Sequence, residues 1–197
     1  MRQLAAIEFK NSVKLSWRDC KEKSSKDYVR NNILIAIYTS PREVSVQLLE
    51  TTDRLVFYDF PRKWLSLVQM LKTVASTDST ANRADYLSII RSIALKYSNE
   101  PSDEVQPFYN VVKQLAYPLH QRLEQILANI NYADENMASL LYEYLKTFRY
   151  FVKFHLPPFL RKPVVMTKIL ATMLKVLQLK FPPELCVCIL FSILYIY

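Results

Sequence analysis

The chain has 197 residues, a net charge of +8 and no glycine. Because glycine lets the backbone turn tightly and approach a phosphate closely, its absence excludes a P-loop, a dinucleotide-binding fingerprint and a serine-hydrolase elbow. Glycine-containing hairpin turns are also missing and apolar residues recur at helical spacing, so we predict an all-α fold. The positive residues are spread along the chain, as is typical of solvated helix faces.

The first two predicted helices are separated by a polar connector. Helix one is predicted over residues 2–17, with an apolar stripe formed by Leu4, Ile7, Val13 and Trp17. The run over residues 19–27 is rich in lysine and serine and predicts a connector. Helix two is then expected to open at Tyr28 and to stop at Ser40-Pro41.

Two proline-containing segments predict the next helix starts. Ser40-Pro41 offers a serine cap followed by proline at the first helical position, and Glu43 completes a capping box. The helix from there to about Tyr58 leaves three charged residues for solvent or a partner, namely Arg42, Glu50 and Arg54. Asp59-Phe60-Pro61 repeats the start signal and predicts a further helix, which Trp64 anchors against its neighbour.

The remainder of the chain predicts four further helices. They begin near Ala84, near Phe108, at Asp134 and near Pro163, and Pro118 is expected to kink or divide the second of them. Antiparallel helices joined by short turns, with a helix pair every ~40 to 47 residues, fit the HEAT and armadillo period. We therefore predict a HEAT-type α-solenoid, a fragment of a right-handed superhelix.

Candidate catalytic and metal-binding residues are sparse. His120 and His155 belong to different predicted helices; His120 is expected to face solvent and His155 to meet the negative end of a helix dipole. Cys186 and Cys188 are predicted to be buried apolar cysteines, because no other His or Cys pair stands at ligand spacing. No nucleophile has a base beside it, so we predict no enzymatic activity, cofactor or metal.

Cysteine usage and the apolar carboxy-terminal segment bear on location. Three cysteines do not resemble a secreted disulfide framework, which favours a reducing compartment, and the amino terminus has no signal-peptide pattern. Leu185 to Tyr197 is apolar but shorter than the ~20 residues that span a bilayer, so a membrane is not an expected partner. The aromatic residues are assigned to helix cores, so nucleic acid is not an expected partner either. A membrane-tethered helical protein remains an alternative, in which deleting this segment releases the chain from membranes.

Three motifs, in order, carry a resemblance to a known family. Residues 2–11 have the sequence RQLAAIEFKN and are followed by Trp17, residues 28–33 have the sequence YVRNNI, and residues 59–64 have the sequence DFPRKW. They resemble the motifs R-Q-x-A-x-x-x-L-K-N…W, x-I-R-x-x-I/L and D-[FY]-P-x-x-W in the amino-terminal region of the importin-beta (karyopherin) superfamily. Ser40-Pro41 lies between them as in the importin seven and importin eight branch.

The resemblance implies a HEAT-repeat nuclear transport receptor whose first repeats bind Ran in its GTP form. Protein cargo and nucleoporins are the further partners that it implies, and the nucleus, cytoplasm and nuclear envelope or pore are the implied locations. By matching position, the implied Ran contacts are Lys10, Asn11 and Lys14. Structural motif residues on the same basis are Trp17, Arg30, Asp59, Pro61 and Trp64, and we expect packing from the last three.

The resemblance also divides the chain. Residues 1–75 are predicted to be the importin-beta amino-terminal-like domain, residues 76–181 continuing HEAT repeats, and residues 182–197 an apolar tail outside the family pattern. Because family members are several times longer, the chain is expected to be a truncated member. An exportin of related build is the nearest variant, and a generic HEAT or armadillo scaffold without Ran binding is the alternative from a different class.

Overall fold

In this computed structural model the structure describes residues 1–76, 84–101, 103–129 and 135–178, and within them the regular secondary structure is entirely α-helical. The helices in this part of the chain are α1 Arg2–Ser16, α2 Lys23–Thr39, α3 Arg42–Asp59, α4 Leu67–Ser76, α5 Asp85–Lys96, α6 Gln106–Ala128, α7 Glu135–Lys153 and α8 Pro163–Leu177. The prediction of an all-α fold is confirmed.

Helix α2 begins at Lys23, so the prediction that Tyr28 opens it is wrong. Side chains in its first turns make contacts that favour helix there. The Lys26 ammonium lies 5.3 Å from the centre of the Trp17 ring, and Asp27 accepts a hydrogen bond of 2.8 Å from Arg30, three residues along the helix. Residues 23–27 were predicted to belong to the connector because they are polar, but they form the first turns of α2.

The start of α3 also differs from the prediction. Pro41 occupies the N-cap position, where the prediction had placed Ser40 with Pro41 as the first helical residue. The Pro41 carbonyl instead accepts hydrogen bonds from the amides of Val44, at 3.1 Å, and Ser45, at 2.9 Å. These backbone hydrogen bonds begin the helix at Pro41.

Asp59 ends helix α3, and the predicted helix start at Asp59-Phe60-Pro61 is wrong. Turns follow it, the Phe60–Pro61 peptide bond is cis, and α4 begins only at Leu67. The Asp59 carboxylate does not cap a helix because, as described below, buried side chains of two other helices occupy it.

Helix α6 runs without a break through Pro118, so the helix is not divided there. Buried side chains stand on both sides of the proline, among them Leu115, Ala116, Leu119 and Leu123. An interior proline costs a helix about 3 kcal/mol, and burying one large apolar side chain contributes about 1.5 to 3 kcal/mol. Continuous burial of this face therefore outweighs the local cost.

The chain forms two compact units, Met1–Met70 and Leu71–Tyr197. In the first unit α3 packs against both α1 and α2. In the second unit α7 packs against α5 and α6, and α6 also contacts α8. In each unit alternate helices therefore stack on one another and one pair of consecutive helices is also packed, α2 with α3 and α6 with α7, which is consistent with a HEAT-type α-solenoid.

The repeat period differs between the units. In the first unit, side-chain hydrogen bonds from α1 and from Trp17 just after it reach residues of α3 that are 37 to 42 positions further along the chain. This separation is close to the predicted period. Bonds joining equivalent helices of the second unit connect residues 52 to 58 positions apart, which is longer than predicted. The long helix α6 and the connectors around it account for the difference.

The core is a continuous set of apolar helix faces in each unit. Ile37 and Leu55 are fully buried in the first, and Ile90, Leu115 and Phe151 in the second. None of the helices in the described ranges combines the length and apolar character that crossing a bilayer requires. The predicted Asp134 cap, Cys186, Cys188 and the segment Leu185 to Tyr197 lie outside the described residues.

Leu4 departs from the predicted stripe of α1. It is 59% exposed, whereas Val13 and Trp17 of the same stripe are buried and Ala6 is buried in addition. A single exposed leucine is normal on a protein surface. The buried face of α1 is therefore rotated away from Leu4, toward Ala6 and Val13.

Candidate partner-binding groove

Helices α1 and α3 enclose a surface groove in the first unit. Its volume is about 440 Å³, and it is lined by Lys10, Asn11 and Lys14 of α1 and by Glu50, Asp53, Arg54 and Phe57 of α3. The structure thus brings together all three α1 residues that the resemblance implied as partner contacts. The α3 residues are added by the fold, and of these only Glu50 and Arg54 had been left for solvent or a partner.

Lys10 is held by the opposite wall of the groove. Its ammonium donates hydrogen bonds to Gln47 Oε1 at 2.6 Å and to Glu50 Oε2 at 2.7 Å, and its side chain is only 25% exposed. Because Glu50 is about half exposed, this ion pair contributes little to stability, on the order of 0 to 1 kcal/mol. It does neutralise Lys10, which therefore offers less attraction to a partner than its position in the sequence suggests.

Two other cations of the groove keep their charge available. Lys14 on α1 and Arg54 on α3 are exposed, and neither has a hydrogen bond or ion pair within the part of the chain that the structure describes. Asn11, on the α1 wall beside them, is also exposed. Both walls of the groove thus present a cation to solvent, suited to a negatively charged surface.

A buried ion pair joins helices α1, α2 and α3 of the first unit. Asp59 Oδ2 accepts hydrogen bonds from Arg30 Nε at 2.9 Å, from Arg30 Nη2 at 2.8 Å and from Trp17 Nε1 at 2.8 Å. The Arg30 and Asp59 side chains are 7% and 3% exposed, and the guanidinium carbon lies 5.7 Å from the centre of the Trp17 ring. These three motif residues hold α1, α2 and the end of α3 together and are not available to a partner.

The remaining motif residues lie in the turns after α3. Trp64 is only 1% exposed, and Pro61 is partly buried. The indole N–H of Trp64 has no hydrogen-bond partner within the described residues, so this side chain contributes by packing alone. Both residues support the end of α3 and not the surface of the groove.

The two histidines take part in packing of the second unit. His120 is buried and its Nε2 lies 2.8 Å from Thr172 Oγ1 of α8, so the prediction that it faces solvent is wrong. Its spacing of four from buried Ala116 could have placed it on the buried face of α6. His155 lies two residues after the end of α7, and its Nε2 is 3.0 Å from the carbonyl of Tyr97 at the carboxyl end of α5.

Polar side chains elsewhere do not assemble a chemical site. The described residues contain no group of three or more His, Cys, Asp or Glu that could hold a metal ion. Tyr86 and Tyr144 hydrogen-bond through their hydroxyls inside the second unit, and burial raises the pKa of Tyr144 above its usual value of 10.0. This pair is part of the core, and the α1–α3 groove is the best candidate for a functional surface.

Comparison with known proteins bears on what such a groove could bind. No family model and no solved structure matches the chain. Human Importin-8 is 24% identical over 196 residues, covering 93% of this chain and 19% of that protein. The probable importin-7 homolog of Dictyostelium discoideum is 24% identical over 192 residues, covering 93% and 18%. The resemblance to the importin-beta superfamily is confirmed.

A protein named as an exportin is similar over a shorter stretch. Exportin-2 of Dictyostelium discoideum is 29% identical over 107 residues, which is 50% of this chain and 11% of that protein. Each of these three names denotes an importin or an exportin, and none denotes an enzyme. The chain spans less than a fifth of the length of each of them, 19% at most.

Proposed function

We propose that this chain is part of a nuclear transport receptor and that its α1–α3 groove binds Ran in its GTP form. The observation that carries the proposal is the pair of cations, Lys14 and Arg54, which the two walls of the groove present without a partner among the described residues. A cation without an internal partner keeps its attraction for a negatively charged protein surface. The similarity to an importin over 93% of the chain supports the choice of Ran as the proposed partner.

The direction of transport in this proposal is import. Relatives named importin are similar over most of the chain, whereas Exportin-2 is similar over half of it. Protein cargo and nucleoporins are the further proposed partners. The proposed locations are accordingly the cytoplasm, the nucleus and the nuclear envelope with its pores.

A second candidate is a HEAT or armadillo scaffold without Ran binding. It is favoured by the Lys10–Glu50 ion pair, which neutralises one of the three cations of the groove within the chain. Such a scaffold would use the same stacked helices and would not respond to the nucleotide on Ran. The two candidates therefore differ in one measurable property, nucleotide-dependent binding.

The test is retention of Ran on the immobilised chain, with Ran loaded with either a non-hydrolysable GTP analogue or GDP. The variant Lys14→Glu reverses an unpaired charge of the groove, and we expect it to weaken binding of the GTP form by about tenfold, about 1.4 kcal/mol. Lys21→Glu is the matched control, because Lys21 is an exposed cation of the connector outside the groove. Lys10 is less suitable, since a glutamate there would face Glu50 and disturb the contact between α1 and α3.

The outcomes separate the two candidates. Selective retention of the GTP form, reduced by Lys14→Glu and unchanged by Lys21→Glu, supports the transport receptor. Equal retention of both nucleotide forms, or retention of neither, favours the scaffold.

A further inference from the structure

The outward face of α3 carries groove residues that the three sequence motifs do not include. Asp53 and Arg54 stand three and four positions after Glu50, and Phe57 stands three positions after Arg54, so the four lie along one face of the helix. Arg54 is exposed and Phe57 is 51% exposed. An arginine and an aromatic ring thus lie one turn apart on the wall that faces the α1 lysines.

The charges of the groove are unevenly distributed. Lys10 and Glu50 pair with each other at 2.7 Å across the groove. Of the remaining ionised residues that line it, Lys14 and Arg54 are cations and Asp53 is an anion. The lining therefore has three cations and two anions, a positive balance, and its two cations without a partner among the described residues are Lys14 from α1 and Arg54 from α3.

Arg54 and Phe57 have the properties of residues that dominate binding energy at protein interfaces. Arginine binds a carboxylate through two parallel hydrogen bonds, and aromatic side chains supply large apolar contacts at little cost in conformational entropy. Lysine offers only a point charge. The Lys10–Glu50 pair joins α1 and α3 beside this contact.

We propose that Arg54 and Phe57 form the principal recognition contact of the groove, with Lys14 as its second cation. The occupant is an acidic protein segment that presents a carboxylate to Arg54 and Lys14 and an apolar side chain to Phe57. That this segment belongs to Ran rests on the proposed function. The chemistry of the contact rests on the groove itself.

The experiment measures dissociation constants of the full chain and its variants for Ran loaded with a GTP analogue. We expect Arg54→Ala and Phe57→Ala each to weaken binding at least about tenfold. We expect Arg54→Lys to fall between Arg54→Ala and the unsubstituted chain, because it keeps the charge and loses the paired hydrogen bonds.

The control variants alter matched residues of the same unit outside the groove. Arg62→Ala removes an exposed arginine, and Leu65→Ala removes an apolar side chain that is 80% exposed. We expect each control to change the dissociation constant by less than about twofold, since exposed residues outside an interface contribute little to binding. Unfolding followed by tryptophan fluorescence is expected to be unchanged in all of these variants.

A second probe separates this inference from the proposed function. It is a synthetic helical peptide rich in Asp, Glu and Leu, compared with a counterpart that carries Lys in place of every acidic residue. If Ran binds and the groove and control variants weaken it equally, the inference is overturned while the proposed function stands. If Ran does not bind, the proposed function fails. In that case the peptides test the inference alone. If the unsubstituted chain binds the acidic peptide and Arg54→Ala and Phe57→Ala lose this binding, the inference is supported. If the unsubstituted chain does not bind the acidic peptide, or binds the acidic and lysine peptides equally, the inference is overturned.

Discussion

Removing the charge of Asp59 tests whether the buried ion pair holds the first unit together. Asp59→Asn keeps the size of the side chain and leaves the Arg30 guanidinium, 7% exposed, without its buried counter-ion. Breaking a buried pair by removing one partner costs about 3 to 5 kcal/mol. Asp27 still accepts a hydrogen bond of 2.8 Å from Arg30, so we expect the lower end, about 3 kcal/mol.

The two tryptophans make this loss measurable. The chain has two, Trp17 and Trp64, and both belong to the unit Met1–Met70, so tryptophan fluorescence follows the unfolding of that unit alone. For a small unit the slope in urea is about 1 kcal/mol per molar. The urea concentration at the midpoint of unfolding should therefore be about 3 M lower for Asp59→Asn than for the unsubstituted chain. A variant that is already unfolded without urea would agree with this expectation.

Two further variants distinguish the buried charge from general disruption. Asp27→Asn is the matched control, because Asp27 pairs with the same arginine at 2.8 Å but is 48% exposed; its expected loss is at most about 1 kcal/mol. Arg30→Met with Asp59→Leu removes both buried charges and should lose less than Asp59→Asn alone, since no uncompensated ion remains. If Asp59→Asn lost no more than Asp27→Asn, the reasoning would be refuted.

Two predictions concern the second unit. Thr172→Val leaves His120 Nε2 without its partner at 2.8 Å and should lower the free energy of unfolding by about 1 to 3 kcal/mol, measured by far-ultraviolet circular dichroism. Thr167→Val, at an exposed site on the same helix, should change it by less than about 0.5 kcal/mol; equal effects would contradict the reasoning. Burial raises the pKa of Tyr144 above 10.0, so the unfolded state loses this proton first and stability should fall as pH rises above about 10. Tyr144→Phe should make that fall shallower, and an unchanged slope would show that Tyr144 does not contribute.

Several features of this protein follow from the sequence because they depend on residues a few positions apart. Helical spacing of apolar residues predicts the all-α fold, and start signals near Ala84 and Pro163 agree with the observed helices α5 and α8. The same local pattern predicts that Trp64 is buried. The α1 half of the groove is also predictable, since Lys10 and Lys14 stand one turn apart and share a helix face.

Other features depend on partners far along the chain, and only the tertiary structure decides them. Asp59 has the local pattern of a helix start, yet it ends α3 because Arg30 and Trp17, 29 and 42 residues away, bind its carboxylate. Lys10 has the pattern of a free surface cation, yet Glu50, 40 residues away, neutralises it and leaves Lys14 and Arg54 as the available charges. Local spacing specifies helices and their faces, but the partner of a charged side chain is fixed only when helices from different repeats pack together.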